Sequence, residues 1–220
     1  MTIRAVLFDL DGTLVDSLGD LTEAVNYVLE AFSLPLLCEN DVRTRVGKGS
    51  RNLLQQVLPG FTEADIDRAL GMFLAYSREH IADKSRLYPG ILDTLRNLAA
   101  SGIKTAVITN KNEDLCLLLL HDLGIDGLLE CACGGDTYPE RKPSPLPLLK
   151  TAERLGVPPR SCVMIGDSIN DVESGRGAAM MTIACTWGYG DMAELGRADT
   201  IVHTPTELCG AIAQFSDRQS

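Results

Sequence analysis

The chain has 220 residues, 45% hydrophobic and 23% charged, and thirty Asp plus Glu against twenty Lys plus Arg leave a net charge of −10. That length can bury a full core, and the acidic balance argues against nucleic acid or an anionic membrane as the main partner, since both demand concentrated positive charge. No stretch approaches the roughly 20 apolar residues of a bilayer span, and residues 1–8 are too short an apolar run for a signal peptide.

The predicted elements begin with an apolar strand. Val6, Leu7 and Phe8 suit a strand buried on both faces; the run ends in Asp9 and Asp11, and Gly12-Thr13 turns the chain. Asp16 or Ser17 is expected to cap a helix that carries Leu18, Leu21, Val25, Val28, Leu29 and Phe32 at helical spacing. Residues 39–58 predict two short helices around Val46-Gly47-Lys48-Gly49-Ser50, and residues 62–82 a further one with Ile66, Ala69, Leu70, Phe73 and Leu74 on one face. Residues 16–84 therefore read as all-helical.

From Tyr88-Pro89-Gly90 onward helices alternate with apolar strands. Helices are expected at 91–101, 112–123, 145–155, 170–178 and 206–215, and strands at 103–109, 129–134, 161–166, 180–185 and 199–202. Such alternation implies an α/β fold, a Rossmann-like doubly wound parallel sheet with helices on both faces. Residues 1–15 and 85–220 would form this core, with 16–84 inserted after the first strand as a helical cap. Val15-Asp16 and the segment around Lys84-Ser85 would be the two strands of a hinge. The seven cysteines, odd in number and mostly in apolar runs, read as reduced thiols of a cytoplasmic protein.

Four strands end in polar groups: Asp9-Leu10-Asp11, Thr109-Asn110-Lys111, Gly134-Gly135-Asp136 followed by Arg141-Lys142-Pro143, and Gly166-Asp167-Ser168-Ile169-Asn170-Asp171. In an open α/β sheet these fall on one edge and can converge on one crevice. Asp9, Asp11 and Asp167 offer hard oxygen ligands suited to Mg²⁺, with Asp171 one helical turn beyond Asp167. His80, His121 and His203 stand away from every such strand end, which disfavours a Ser-His-Asp mechanism, and no G-x-x-x-x-G-K-[ST] loop exists to cradle ATP. A carboxylate nucleophile with Mg²⁺, a Lys and a hydroxyl is what phosphoryl transfer to Asp needs; Lys142 would neutralise the transferring group and Thr109 would hydrogen-bond it. Asn110 either brings its amide to that group or, with Lys111, starts the next helix. Ser168 is read as a helix cap, and Trp187 and Tyr189 as bordering the cleft or packing at the surface.

Asp9-Leu10-Asp11-Gly12-Thr13 resembles the first signature of the haloacid-dehalogenase-like hydrolase superfamily. Thr109 resembles its second, Lys142 its third, and Gly166-Asp167-Ser168-x-x-Asp171 its fourth, in order and across nearly the whole chain. The resemblance implies that Asp9 is a nucleophile forming an aspartyl-phosphate and that Asp11 protonates the leaving alcohol and then activates water. It also implies a Mg²⁺ held by Asp9, the Asp11 main-chain carbonyl and Asp167, with Asp171 acting through water. A carboxylate at position 11 fits an alkoxide leaving group, which needs a general acid, and not a halide, which does not.

Finer similarity points to the phosphoglycolate phosphatase group, through Val46-Gly47-Lys48-Gly49, Arg86-Leu87-Tyr88-Pro89-Gly90, Gly134-Gly135-Asp136-Thr137, Lys142-Pro143-Ser144-Pro145 and Gly188-Tyr189-Gly190. Gly47 and Gly49 would let the cap loop approach a ligand, and Lys48 or Arg51 would pair with a substrate carboxylate. Glu173-Ser174-Gly175-Arg176-Gly177 and Met180-Met181 depart from the group's usual pattern behind the catalytic edge. The partner expected is a small anionic phosphoester, met by a monomer or homodimer. Another small ester, pyrophosphate, or a phosphomutase reaction of the β-phosphoglucomutase type are the alternatives.

Overall fold

Strand β1 (Ala5–Phe8) lies inside a parallel sheet because each of its residues has an apolar layer to meet. The computed structural model describes residues 2–217 and orders six strands as β5-β4-β1-β6-β7-β8, with β4 at Lys104–Ile108, β5 at Cys131–Cys133, β6 at Cys162–Gly166, β7 at Met181–Cys185 and β8 at Thr200–Val202. All pairings in this sheet are parallel, and β1 sets the register, Ala5 facing Lys104 and Cys162, Phe8 facing Val107 and Ile165. Side chains alternate between two cores, as a period of two requires. Val6, Phe8, Val107, Val163 and Ile165 join one with helices α5 (Ile91–Ala100), α6 (Glu113–Asp122) and α10 (Leu208–Asp217). Ala5, Leu7, Ala106, Ile108 and Met164 join the other, against α7 (Leu146–Leu155). Helix α8 (Ile169–Gly177) packs on β6 and β7.

The chain leaves β1 toward β4 on one side and leaves β6 toward β7 on the other. The carboxyl ends of β1 and β6 therefore flank the reversal of strand order, where open α/β sheets form their binding crevice.

Helices α1 (Leu18–Ala31), α2 (Glu39–Arg43), α3 (Ser50–Val57) and α4 (Glu63–Glu79) enclose an apolar cluster of their own, built on Val25, Val28, Leu54, Ile66, Ala69 and Phe73. Thr62 opens α4, its hydroxyl accepting from the Asp65 amide, and the helix closes at Glu79, three residues short of the expected 82. Two short antiparallel strands, β2 (Val15–Asp16) and β3 (Arg86–Leu87), join this unit to the sheet. The second strand falls two residues later than Lys84-Ser85 because those residues are otherwise engaged. The Asp20 carboxylate of α1 accepts from the Lys84 amide at 3.0 Å, the Ser85 amide at 2.8 Å and the Ser85 hydroxyl at 2.6 Å.

Three further differences have local causes. Ser17 stands at the start of α1, but its hydroxyl donates to Asp11 and not to the helix. A short helix α9 (Met192–Leu195), capped by Asp191, has too few residues to show a period. The last helix begins at Leu208 after a tight turn at Pro205–Glu207. Cys116, Cys131, Cys133, Cys162 and Cys185 are buried free thiols, Cys209 is half-buried and Cys38 exposed.

Candidate active site

Asp9, Thr109 and Asp167 each sit one residue beyond a strand, and the first two are still held by the sheet. The Asp9 amide donates to the Ile165 carbonyl at 2.9 Å, and the Thr109 amide to the Cys133 carbonyl at 3.0 Å. Gly12 makes the turn that follows, with φ +87°, and a Cβ there would collide with the Asp167 carboxylate. That turn lets the Thr13 hydroxyl donate to Asp167 Oδ1 at 2.9 Å while the Tyr189 amide donates to Oδ2 at 2.7 Å.

Asp9, Asp167 and Asp171 are all buried, and each offers an oxygen within 4.8 Å of the others. Lys142, 3% exposed, lies between two of them, with Nζ 2.8 Å from Asp9 Oδ1 and 2.6 Å from Asp171 Oδ1. The Asp171 contact is a hydrogen bond; the Asp9 contact is an ion pair without hydrogen-bond alignment, and Asp9 Oδ1 has no aligned donor. The second Asp171 oxygen accepts from the Ser168 amide and hydroxyl, so Ser168 does cap α8, through Asp171.

One ammonium cannot neutralise three carboxylates. Burial pushes the Asp9 carboxyl up to about 8; Lys142 opposes the rise, and Asp171 and Asp167 add to it. Asp167 is pushed up to about 6, by burial first and then by Asp171. Burial alone would lower the Lys142 ammonium, but Asp171 and Asp9 outweigh it and hold the pKa above its usual value. The chemistry of this donor set, three buried hard oxygens short of positive charge, fits a divalent cation such as Mg²⁺.

Asp11 lies outside that carboxylate group. Its Oδ1 accepts from the Ser17 hydroxyl at 2.6 Å, and Lys111 Nζ reaches Oδ1 and Oδ2 at 3.1 and 3.2 Å. Thr109 is buried beside them, and its hydroxyl oxygen accepts from the Lys111 amide at 3.2 Å.

The remaining predicted residues divide. The Asn110 amide group donates to the carbonyls of Gly47 at 2.8 Å and Lys142 at 2.9 Å, so it ties the α2–α3 loop to the core, and its Oδ1 is buried without a partner. Asn170 adds a second donor to the Gly47 carbonyl at 3.2 Å. Gly49 makes the expected close approach, but to the protein: a Cβ there would stand 3.0 Å from the Asn110 carbonyl oxygen. Lys48 is exposed beside a cavity of about 540 Å³ that also reaches Asp9, Asp11 and Asp167. Arg51 is not brought to the crevice; it pairs with Glu63 and Asp67 on the outer surface. Asp136 caps α6 through the Glu113 amide.

Sequence reasoning missed what Tyr189 and Lys111 do. The Tyr189 hydroxyl accepts from the Ser17 amide at 2.8 Å and donates to Asp16 at 3.0 Å, linking the β2 connection to the loop over Asp167. The signal available for Lys111 was its place, two residues after Thr109 on the same edge.

A model of the haloacid dehalogenase-like hydrolase family matches residues 3–179. The chain belongs to that family. This hydrolase is 41% identical to a phosphoglycolate phosphatase of Chromobacterium violaceum, over 94% of the chain and 95% of that relative. It is 38% identical to one of Neisseria gonorrhoeae, over 97% and 92% respectively. A crystal structure described as a predicted phosphoglycolate phosphatase of Haemophilus somnus has a TM-score of 0.90 at 32% identity, covering 96% of this chain and 98% of that one. The hydrolase is thus a phosphatase of phosphoric monoesters. Among its described residues no helix is long and apolar enough to cross a membrane.

Proposed function

We propose that this phosphatase hydrolyses 2-phosphoglycolate to glycolate and phosphate, with Mg²⁺ and through an aspartyl-phosphate on Asp9. The observation that carries the reading is the buried Asp9 carboxylate, with an oxygen lacking any aligned donor, set between Lys142 and two further carboxylates. Three buried carboxylates facing one ammonium are costly to hold together, and such an arrangement marks a functional site.

Asp9 attacks phosphorus; the bond between phosphorus and the ester oxygen breaks, and Asp11 donates its proton to the departing alkoxide. Water then attacks the acyl phosphate, Asp11 takes a proton from it, and the phosphorus–Asp9 bond breaks to release phosphate and restore the carboxylate. Lys142 sets positive charge against the transferring oxygens, and the Thr109 hydroxyl donates to one of them. Asp9, Asp167 and the Asp11 main-chain carbonyl would hold Mg²⁺, with Asp171 acting through water; the ion would supply charge neutralisation at the phosphoryl group. Residues 16–84 act as a cap whose closure excludes bulk water and completes the site around the one water that hydrolyses the intermediate.

The substrate assignment is supported by the relatives' activity and by the space beside Asp11. A cavity of about 50 Å³ lies between Asp9, Asp11 and Thr109 on one side and Leu53 and Phe73 on the other. A two-carbon acid is of a size to enter it, beside the larger cavity of about 540 Å³ that reaches the same carboxylates. Free thiols, most of them buried, suit a reducing cytoplasm. The test is Mg²⁺-dependent phosphate release from 2-phosphoglycolate, pyrophosphate, sugar phosphates and nucleotides. A clear preference for 2-phosphoglycolate is expected; a flat profile would defeat the substrate assignment, and isomerisation of a sugar phosphate without phosphate release would point to a mutase.

A further inference from the structure

The cavity beside Asp11 has a single cation among the residues that line it, and that cation belongs to the core. Lys111 shares this wall with Asp9, Asp11 and Thr109, and the facing wall includes Val46, Leu53 and Phe73. Its side chain is 7% exposed. The backbone that carries it is held on both sides: its amide donates to the Thr109 hydroxyl oxygen, and its carbonyl accepts from the Gly135 amide at 2.8 Å. The basic residues of the helical unit near the crevice are occupied or elsewhere. Arg51 is bound by Glu63 and Asp67, Arg43 donates to the Gly188 carbonyl, and Lys48 lies on the other, larger cavity.

We propose that Lys111 is the specificity-determining residue that binds the carboxylate of the substrate's leaving group. The inference rests on the 2-phosphoglycolate reading and names the residue that makes the choice. With the phosphoryl group at Asp9, the ester oxygen lies toward Asp11 and the rest of the leaving group enters the small cavity. Its methylene meets the apolar wall, and its carboxylate comes within reach of the Lys111 ammonium. Without substrate, the two Asp11 oxygens hold that ammonium in place at 3.1 and 3.2 Å, so no rotamer search is needed when the carboxylate arrives. Enclosed by apolar side chains, the two charges attract more strongly than an exposed pair, and removing either one leaves the other buried and unpaired. An ester with no carboxylate offers Lys111 nothing that Asp11 does not already give. Selection for an acid then comes from the core, and selection for a small one from the apolar wall.

The experiment compares kcat/KM for 2-phosphoglycolate with that for ethyl phosphate, which lacks the carboxylate, in the wild type, Lys111→Met and Lys111→Arg. The wild type is expected to prefer 2-phosphoglycolate. Lys111→Met should cut that preference by at least about 30-fold, mostly through KM, as loss of one partner from a buried charge pair does. Lys111→Arg should restore part of it. Any effect that the loss of its partner has on Asp11 falls on both substrates together, so the ratio isolates carboxylate recognition. An undiminished preference in Lys111→Met overturns the inference and leaves the proposed function standing. A wild type without the preference overturns the substrate reading, and the role of Lys111 with it. Should Lys111→Met fail to fold, Lys111→Gln, which keeps a hydrogen-bond donor but no charge, carries the same comparison.

Discussion

The crevice of the sheet and the helical unit above it handle charge in opposite ways. At the strand ends the charges are buried and shared: Lys142 between Asp9 and Asp171, Lys111 on Asp11. In residues 16–84 the ion pairs lie on the outside, Arg51 with Glu63 and Asp67 and Lys84 with Glu23, where solvent weakens them. What that unit turns toward the small cavity beside Asp11 is mostly backbone and hydrocarbon: the Gly47 carbonyl, held by Asn110 and Asn170, and the side chains of Leu53 and Phe73. Arg43 and Lys48 line the larger cavity. The contrast teaches a division of labour. On the proposed mechanism the core supplies the electrostatics of the reaction, and the helical unit supplies size and dryness at the leaving group.

The largest effect that would break this division is at Asp9. Asp9→Asn should lower phosphate release by about 10⁴-fold or more, since a lost nucleophile is not replaced by binding alone. Activity near the wild-type level would remove the covalent mechanism.

A second effect tests whether the crevice is short of positive charge. Unfolded, the Asp9 carboxyl titrates at its ordinary 3.8; folded and without metal it titrates at about 8. Between those values the folded chain holds the extra proton, so stability without metal falls as pH rises across that window. Asp167 adds the same sign between 3.8 and about 6. Ionised carboxylates hold Mg²⁺ best, so the gain in Tm from Mg²⁺ over EDTA should be greater at about pH 8 than at about pH 5, by roughly 5 °C. An equal gain at both pH values would mean that these carboxylates are not what the metal binds.

Asp20 sharpens the comparison from the other side, as a carboxylate of the helical unit that is buried and used. Asp20→Ala strands the Lys84 and Ser85 amides, and thermal unfolding should show a loss of about 1–3 kcal/mol. Unchanged stability would mean that water replaces the carboxylate at this connection. The smallest effect is expected at Arg51. Arg51→Ala removes exposed ion pairs and should change kcat/KM less than twofold and stability by under about 1 kcal/mol. A tenfold rise in KM would restore Arg51 to the substrate site and weaken the contrast.

The strand ends were legible because a parallel sheet places consecutive carboxyl ends on one edge, so Asp9, Thr109 and Asp167 had to be near one another. Lys142 and Asp171 followed from motif spacing, since a helix turn carries Asp171 back toward Asp167. The cap residues were less legible for a physical reason. Lys48 and Arg51 are cations in a polar loop and the helix after it, and nothing local distinguishes a charge aimed inward from one paired on the surface. Arg51 pairs with Glu63 and Asp67, which lie on the next helix and meet it only once the two helices pack. The β3 strand slipped to Arg86–Leu87 for a similar reason, because Asp20, more than sixty residues earlier, holds the amides before it.

Sequence alone therefore determined the fold class, the edge on which the polar groups gather, and the family, since each follows from apolar periodicity and from motifs only a few residues long. Tertiary structure decided which cation serves which carboxylate. Lys111 meets Asp11 across one hundred residues of chain, and Lys142 meets Asp9 across more. Those pairings come from the register of β1 against β4 and β6 and from the low dielectric of a closed crevice, where a buried charge must find its opposite.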